Sequence, residues 1–120
     1  MTSEMKIGIG HEGETAQEFM QVWHRTERGE PPEMPMESLY FSDLETLLRT
    51  LTSQRLALLK TLYAVGPVSS RALAKALGRD EKHVQTDVQA LQHVGLVRRQ
   101  RDGRLLVPWT RLVAEFRLVA

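Results

Sequence analysis

The stretch from Ser69 to Arg104 constrains this chain more than any other. It reads SSRALAKALGRDEKHVQTDVQALQHVGLVRRQRDGR. Two short helical periodicities flank Gly78, and a basic strand–turn–strand pattern follows. Ser69 suits the N-cap of a first helix with Leu73, Ala74 and Leu77 inward. Ala74 is small, which lets two helices cross closely. Gly78 follows where the chain must turn, and glycine tolerates the left-handed conformation expected there. Asp80 suits the cap of a second helix whose inward set is Val84, Val88 and Leu91, at i, i+4 and i+7. Gly95 closes that helix and Leu96-Val97 begin a strand. Asp102-Gly103 lies between the strand-like runs Leu96–Arg101 and Arg104–Pro108, which predicts a two-residue hairpin.

The remaining segments are read around this core. Met5–Gly10 alternates like a short strand, weakened by two glycines. Residues 14 to 28 read as a helix with Ala16, Phe19, Met20 and Trp23 on one stripe, ended by Gly29. The run GEPPEMPMES reads as a linker. Leu39–Phe41 reads as a short strand. Ser42-Asp43-Leu44-Glu45 matches a capping box in which Ser42 accepts from the Glu45 amide. The stripe after it is Leu44, Leu47, Leu48 and Leu51. Thr52 or Ser53 caps a further helix with Leu56, Leu59, Leu62 and Tyr63 as its core face, stopped by Gly66-Pro67. The expected organisation is an N-terminal strand–helix extension and linker over 1–33 and a main domain over 34–120.

Composition narrows the function. No apolar run approaches the ~20 residues that span a bilayer, so no membrane association is expected. The first residues lack the basic region and apolar core of a signal peptide. There is no cysteine, which excludes disulfides and thiol chemistry and fits a cytoplasmic location. His11, His24, His83 and His93 show no metal-ligand spacing, so no metal is expected. No glycine-rich phosphate loop, nucleophile elbow or paired-acid site stands in the sequence. Neither an enzyme nor a bound cofactor is expected.

The net charge of +1 conceals an asymmetry: residues 1–50 carry −6 and residues 51–120 carry +7. A basic half suggests a polyanion partner, because neutralising phosphates drives affinity. Turning the 80–94 helix by 100° per residue sets Lys82, Thr86, Gln89 and His93 opposite its apolar face. Arg79 lies just before it on that side, and His83 and Gln85 flank it. Long donors and short hydrogen-bonders on one helix face suit base edges in a major groove. Arg79, Lys82, His83, Gln85, Thr86 and Gln89 are therefore candidate DNA contacts. Asp87 is out of place on such a face unless a basic neighbour holds it. Arg98, Arg99, Arg101 and Arg104 make the hairpin a phosphate or minor-groove probe. Arginines also guard exposed strand edges, and a polar helix face is often only solvated; the helix and hairpin together favour DNA.

Residues 39–108 resemble the winged helix-turn-helix domain of small prokaryotic transcription regulators of the multiple-antibiotic-resistance and arsenic-repressor kind. The segment RLALLKTLYAVGPVSSRALAKALGRDEKHVQTDVQALQHVGLVRR carries the likeness. The MKIGIG-like start and VPW-like end are similar to a group of DNA-binding proteins, some encoded beside toxin genes as antitoxins. The resemblance implies a mainly α fold with a small β-wing, a winged helix-turn-helix with an N-terminal strand–helix extension. It implies that Ser69, Ser70 and Arg71 touch phosphate, that residues 79–89 read the major groove, and that Arg99, Arg101 and Arg104 serve the wing. Arsenic-type repressors often sense metal through cysteines, which this chain lacks.

Two-fold operators suit dimeric readers. A homodimer is therefore expected, with the N-terminal strand–helix and residues 109–120 as its candidate parts. Glu115–Val119 alternates like a strand and is expected to pair with Met5–Gly10, within or between chains. The sequence supports a transcriptional regulator, in the main a repressor. The acidic front half leaves open an antitoxin that neutralises a basic toxin protein, or an interaction module that uses the fold for protein contacts.

Overall fold

The structure is a computed structural model that describes residues 3–9, 36–116 and 118. Its elements are β1 (Glu4–Ile9), β2 (Met36–Phe41), α1 (Leu44–Thr50), α2 (Ser53–Val65), α3 (Ser70–Leu77), α4 (Glu81–His93), β3 (Arg98–Arg99), β4 (Leu105–Leu106) and β5 (Arg111–Glu115). The helix expected over 14–28 lies outside the described residues. The chain divides into two compact units, one of residues 1–47 and 110–120, the other of residues 48–109. The expected break after residue 33 differs from this division because strands from both ends of the chain meet in one sheet.

That sheet belongs to the first unit and runs β2-β1-β5. Both neighbours are parallel to β1, with Glu4 opposite Met36 on one side and opposite Arg111 on the other. Met5 and Ile7 are buried from one face of β1, and Phe41 is buried at the end of β2. Gly8 is explained by its neighbour in register, Tyr40, whose ring lies 3.0 Å from where a Cβ would stand. A glycine inside a strand often marks such a close approach. The expected pairing of the two chain ends is present through Arg111–Glu115; of the strand expected over Glu115–Val119, residues 117 and 119 lie outside the described residues. Met36–Ser38, read as linker, form the first half of β2. At the entry to α1, Asp43 is the capping residue in place of Ser42: its Oδ1 accepts from the Thr46 amide at 2.7 Å.

The second unit is a winged helix-turn-helix. Its core is Leu58, Leu59 and Leu62 of α2, Leu73 and Ala74 of α3, Val84, Val88 and Leu91 of α4, and Leu96, Val97, Leu105 and Trp109 beyond them. Each fully buried leucine or valine contributes roughly 1.5–3 kcal/mol by leaving water. Two expected inward sets are corrected. Leu58 takes the place given to Leu56 and Tyr63, which are exposed, and Leu48 of α1 is exposed as well. The LALLKTLY run of α2, residues 56–63, carries large apolar side chains around more than one side, so the period alone does not select the buried stripe.

Local chemistry sets the helix ends. Thr52 caps α2 by accepting from the Arg55 amide, and Ser69 caps α3 by accepting from the Ala72 amide at 3.1 Å. Gly78 is left-handed, φ 64°, and its amide turns back to Ala74 and Lys75. Asp80 caps α4 through Oδ2, which accepts from the Lys82 amide at 3.1 Å and the His83 amide at 3.4 Å. Three residues thus separate α3 from α4. The wing is the antiparallel pair β3–β4, and Val68 adds a bridge to Leu105 through two backbone hydrogen bonds. Its loop has three residues, 101–103, in place of two: Gly103 N–H donates to the Gln100 carbonyl and Gln100 N–H to the Arg104 carbonyl. Gly103 alone has positive φ there. This is a tight turn followed by a left-handed glycine, the second commonest hairpin closure.

Candidate nucleic-acid interface

α4 divides cleanly into two sides. Val84, Val88 and Leu91 are buried, while Lys82, His83, Gln85, Thr86 and Gln89 are exposed. Capping by Asp80 fixes where the helix starts and therefore which way each of these side chains points. Two of them have local partners: Gln85 Nε2 donates weakly to Glu81 Oε1 at 3.4 Å, and Thr86 Oγ1 donates to the Lys82 carbonyl at 3.1 Å. Ser70, Gln85, Val88, Gln89 and Arg99 line one small concavity, which brings the start of α3, the exposed side of α4 and the wing to a common place. Arg71 is exposed on the first turn of α3, and Ser69 is the α3 cap.

Arg79 is placed otherwise than the sequence suggests. Its Nη2 donates to Asp87 Oδ2 at 2.8 Å, and Arg55 Nε donates to Asp87 Oδ1 at 3.1 Å. Arg55 Nη1 also donates to the Thr50 carbonyl. The Asp87 side chain is 14% exposed and the arginines 19% and 23%. A carboxylate that would repel phosphate is thereby neutralised by two cations, and Arg79 supports α4 instead of facing outward. Arg79 Nη1 is buried without a hydrogen-bond partner among the described residues. Arg55 was not among the candidates from sequence. The out-of-place Asp87 was the signal that a basic neighbour existed, and its identity needed the fold.

The wing arginines have four different settings. Arg98 lies over the Trp109 ring, 4.8 Å from its centre. Trp109 is buried and its indole N–H donates to the Leu96 carbonyl at 3.0 Å, so it anchors the base of the wing. Arg99 Nη1 donates to the Gly103 carbonyl at 2.9 Å, bracing the loop. Arg104 Nε donates to Asp102 Oδ2 at 2.7 Å. The Arg104 amide and then its guanidinium lower the Asp102 pKa below the ordinary carboxylate value. Arg101 is exposed at the tip with no partner among the described residues.

Among the described residues no group of three His, Asp or Glu is placed to hold a metal ion, and no helix is long and apolar enough to cross a membrane. The chain is similar to a multiple antibiotic-resistance repressor from Listeria monocytogenes, whose crystal structure aligns at 22% identity with a TM-score of 0.46. The alignment covers 81% of this chain, which spans 64% of that repressor's chain. No curated protein matches the chain. The HVO_A0114 family model matches residues 50–114, more than half the chain and all of its helix-turn-helix and wing, and the chain belongs to the HVO_A0114 family.

Proposed function

We propose that this protein is a dimeric, sequence-reading regulator of transcription that binds double-stranded DNA and acts as a repressor. α4 enters the major groove, with Gln85, Thr86 and Gln89 nearest base edges and Lys82 and His83 toward the backbone. Ser70 and Arg71 take phosphates beside it, and Arg99, Arg101 and Arg104 approach phosphate or the minor groove from the wing. Such a reader works where a prokaryotic genome lies, in the cytoplasm.

The observation that carries this reading is the shared concavity of Ser70, Gln85, Gln89 and Arg99. Short hydrogen-bonders from two helices and a guanidinium from the wing meet at one surface. The nearby acid, Asp87, is withdrawn into ion pairs with Arg55 and Arg79. Paired in this way, its charge does not oppose phosphate at that surface. Phosphate contacts position such a protein and base contacts specify its site.

The test is binding to the DNA upstream of the protein's own gene and to a scrambled sequence, over a salt series. The expected result is tighter binding to the first, weakening steeply with salt. Equal and weak binding to both would overturn the reading and turn attention to a protein partner, a toxin included.

A further inference from the structure

We propose that the free edge of β5 pairs antiparallel with β5 of a second copy, across a two-fold axis through Val113. β1 lies between β2 and β5, so among the described residues β5 presents one open edge of the sheet. An open edge offers unpaired backbone groups to another strand. Self-pairing about a two-fold is the simplest closed way to satisfy them.

The β5 sequence, RLVAE, is complementary to itself in that arrangement. Centred on Val113, antiparallel pairing sets Arg111 opposite Glu115 of the second copy, twice per dimer. Leu112 meets Ala114, and Val113 meets its own counterpart. Arg111, Val113 and Glu115 share one face by the two-residue period of a strand. Each charged side chain is 66% exposed, and among the described residues its ion pair is a loose one to β1: Arg111 to Glu4 at 3.7 Å and Lys6 to Glu115 at 3.9 Å. The described apolar residues that follow β5 in the sequence, Phe116 and Leu118, are exposed. The opposite edge lacks this property: pairing β2 with itself sets Glu37 opposite Tyr40, with no pair of opposite charges. The result is one six-stranded sheet built from two copies.

This inference deepens the dimeric part of the reading above, and its test contains no DNA, so the two fail separately. The full chain is measured by sedimentation, with circular dichroism to confirm folding. The wild type is expected to be a dimer. R111E and E115R each set like charges opposite one another and are expected to weaken dimerisation about tenfold or more. An equimolar mixture of the two variants restores both opposite-charge pairs and is expected to form a heterodimer. Since the chain has no cysteine, V113C offers a second readout that does not rely on charge. Mild oxidation is expected to cross-link V113C to itself, and to leave S38C, on β2, uncrossed. A monomeric wild type, variants that dimerise as before, a mixture that stays monomeric, or V113C no more cross-linked than S38C would each overturn the proposal.

Discussion

Asp87, in the middle of α4, accepts a hydrogen bond from Arg79 in the turn that leads into that helix, Oδ2 to Nη2 at 2.8 Å. Its other oxygen takes Arg55 from α2. One carboxylate therefore ties the exposed helix to the turn before it and to the helix behind it. This anchorage and the buried Val84, Val88 and Leu91 together set the direction in which Gln85 and Gln89 project.

Asp87→Ala is expected to cost about 2 kcal/mol, below the 3–5 typical of a fully buried pair because all three groups keep some contact with water. It leaves two part-buried guanidinium groups without their carboxylate. Arg79→Met is expected to cost less, since it keeps the stem packing and removes an Nη1 that has no hydrogen-bond partner among the described residues. Urea unfolding of both variants checks the order. An Arg79→Met loss equal to or greater than that of Asp87→Ala would contradict it.

Trp109 joins the core to the wing through packing, through its bond to the Leu96 carbonyl and through Arg98 over its ring. Trp109→Phe keeps most of the packing and loses the hydrogen bond, an expected cost of about 1–2 kcal/mol. Trp109→Ala also empties the site and is expected to cost about 3–5 kcal/mol. Thermal melts give the two values, and amide exchange at Arg98 and Leu106 should speed up in both variants.

What the sequence made legible was the local chemistry. Ser69, Asp80, Thr52, Gly66 and Gly78 act within a few residues of themselves, so a cap or a left-handed turn is decided by neighbours. The inward residues of α4 were legible because its apolar positions fall on one side only. Less was legible where candidates compete or partners are distant. Ser42 and Asp43 both suit a cap, and only the backbone path selects Asp43. Leu56 and Leu58 both suit a core, and only the surrounding elements select Leu58. The parallel sheet joins residues more than 100 positions apart, such as Glu4 and Arg111, and no local signal sets that register. Arg79 looked like a DNA contact because its captor, Asp87, stands eight residues away.

At the wing tip, Asp102 pairs with Arg104 and offsets part of its positive charge. The Asp102 pKa is lowered in the folded protein, so the folded state favours the charged form. Its hold on Arg104 is complete above the ordinary carboxylate pKa and is lost only as pH falls through the lowered value. No step in DNA affinity from this group is expected between pH 5 and 8. Asp102→Asn releases Arg104 and is expected to strengthen binding to any sequence a few-fold. The slope of log affinity against log salt should steepen by up to about 1. An unchanged slope would show that Arg104 does not reach phosphate.

Gln89 and Arg101 separate the two kinds of contact in the proposed complex. Gln89 lies on the concavity beside Arg99, and its amide offers a donor and an acceptor at once, as adenine requires. Gln89→Ala is expected to lose about 1–3 kcal/mol on the protein's own site and almost nothing on scrambled DNA. Arg101 stands at the tip with its guanidinium unengaged among the described residues, and a guanidinium at a phosphate carries no sequence information. Arg101→Ala is expected to weaken binding to both DNAs alike and to lower the salt slope by about 1. Fluorescence anisotropy on both DNAs at several salt concentrations reads all four quantities. A Gln89→Ala loss that is equal on the two DNAs would move base reading away from this part of α4. A loss at Arg101 confined to the protein's own site would make the wing tip a reader of sequence or groove width instead of charge.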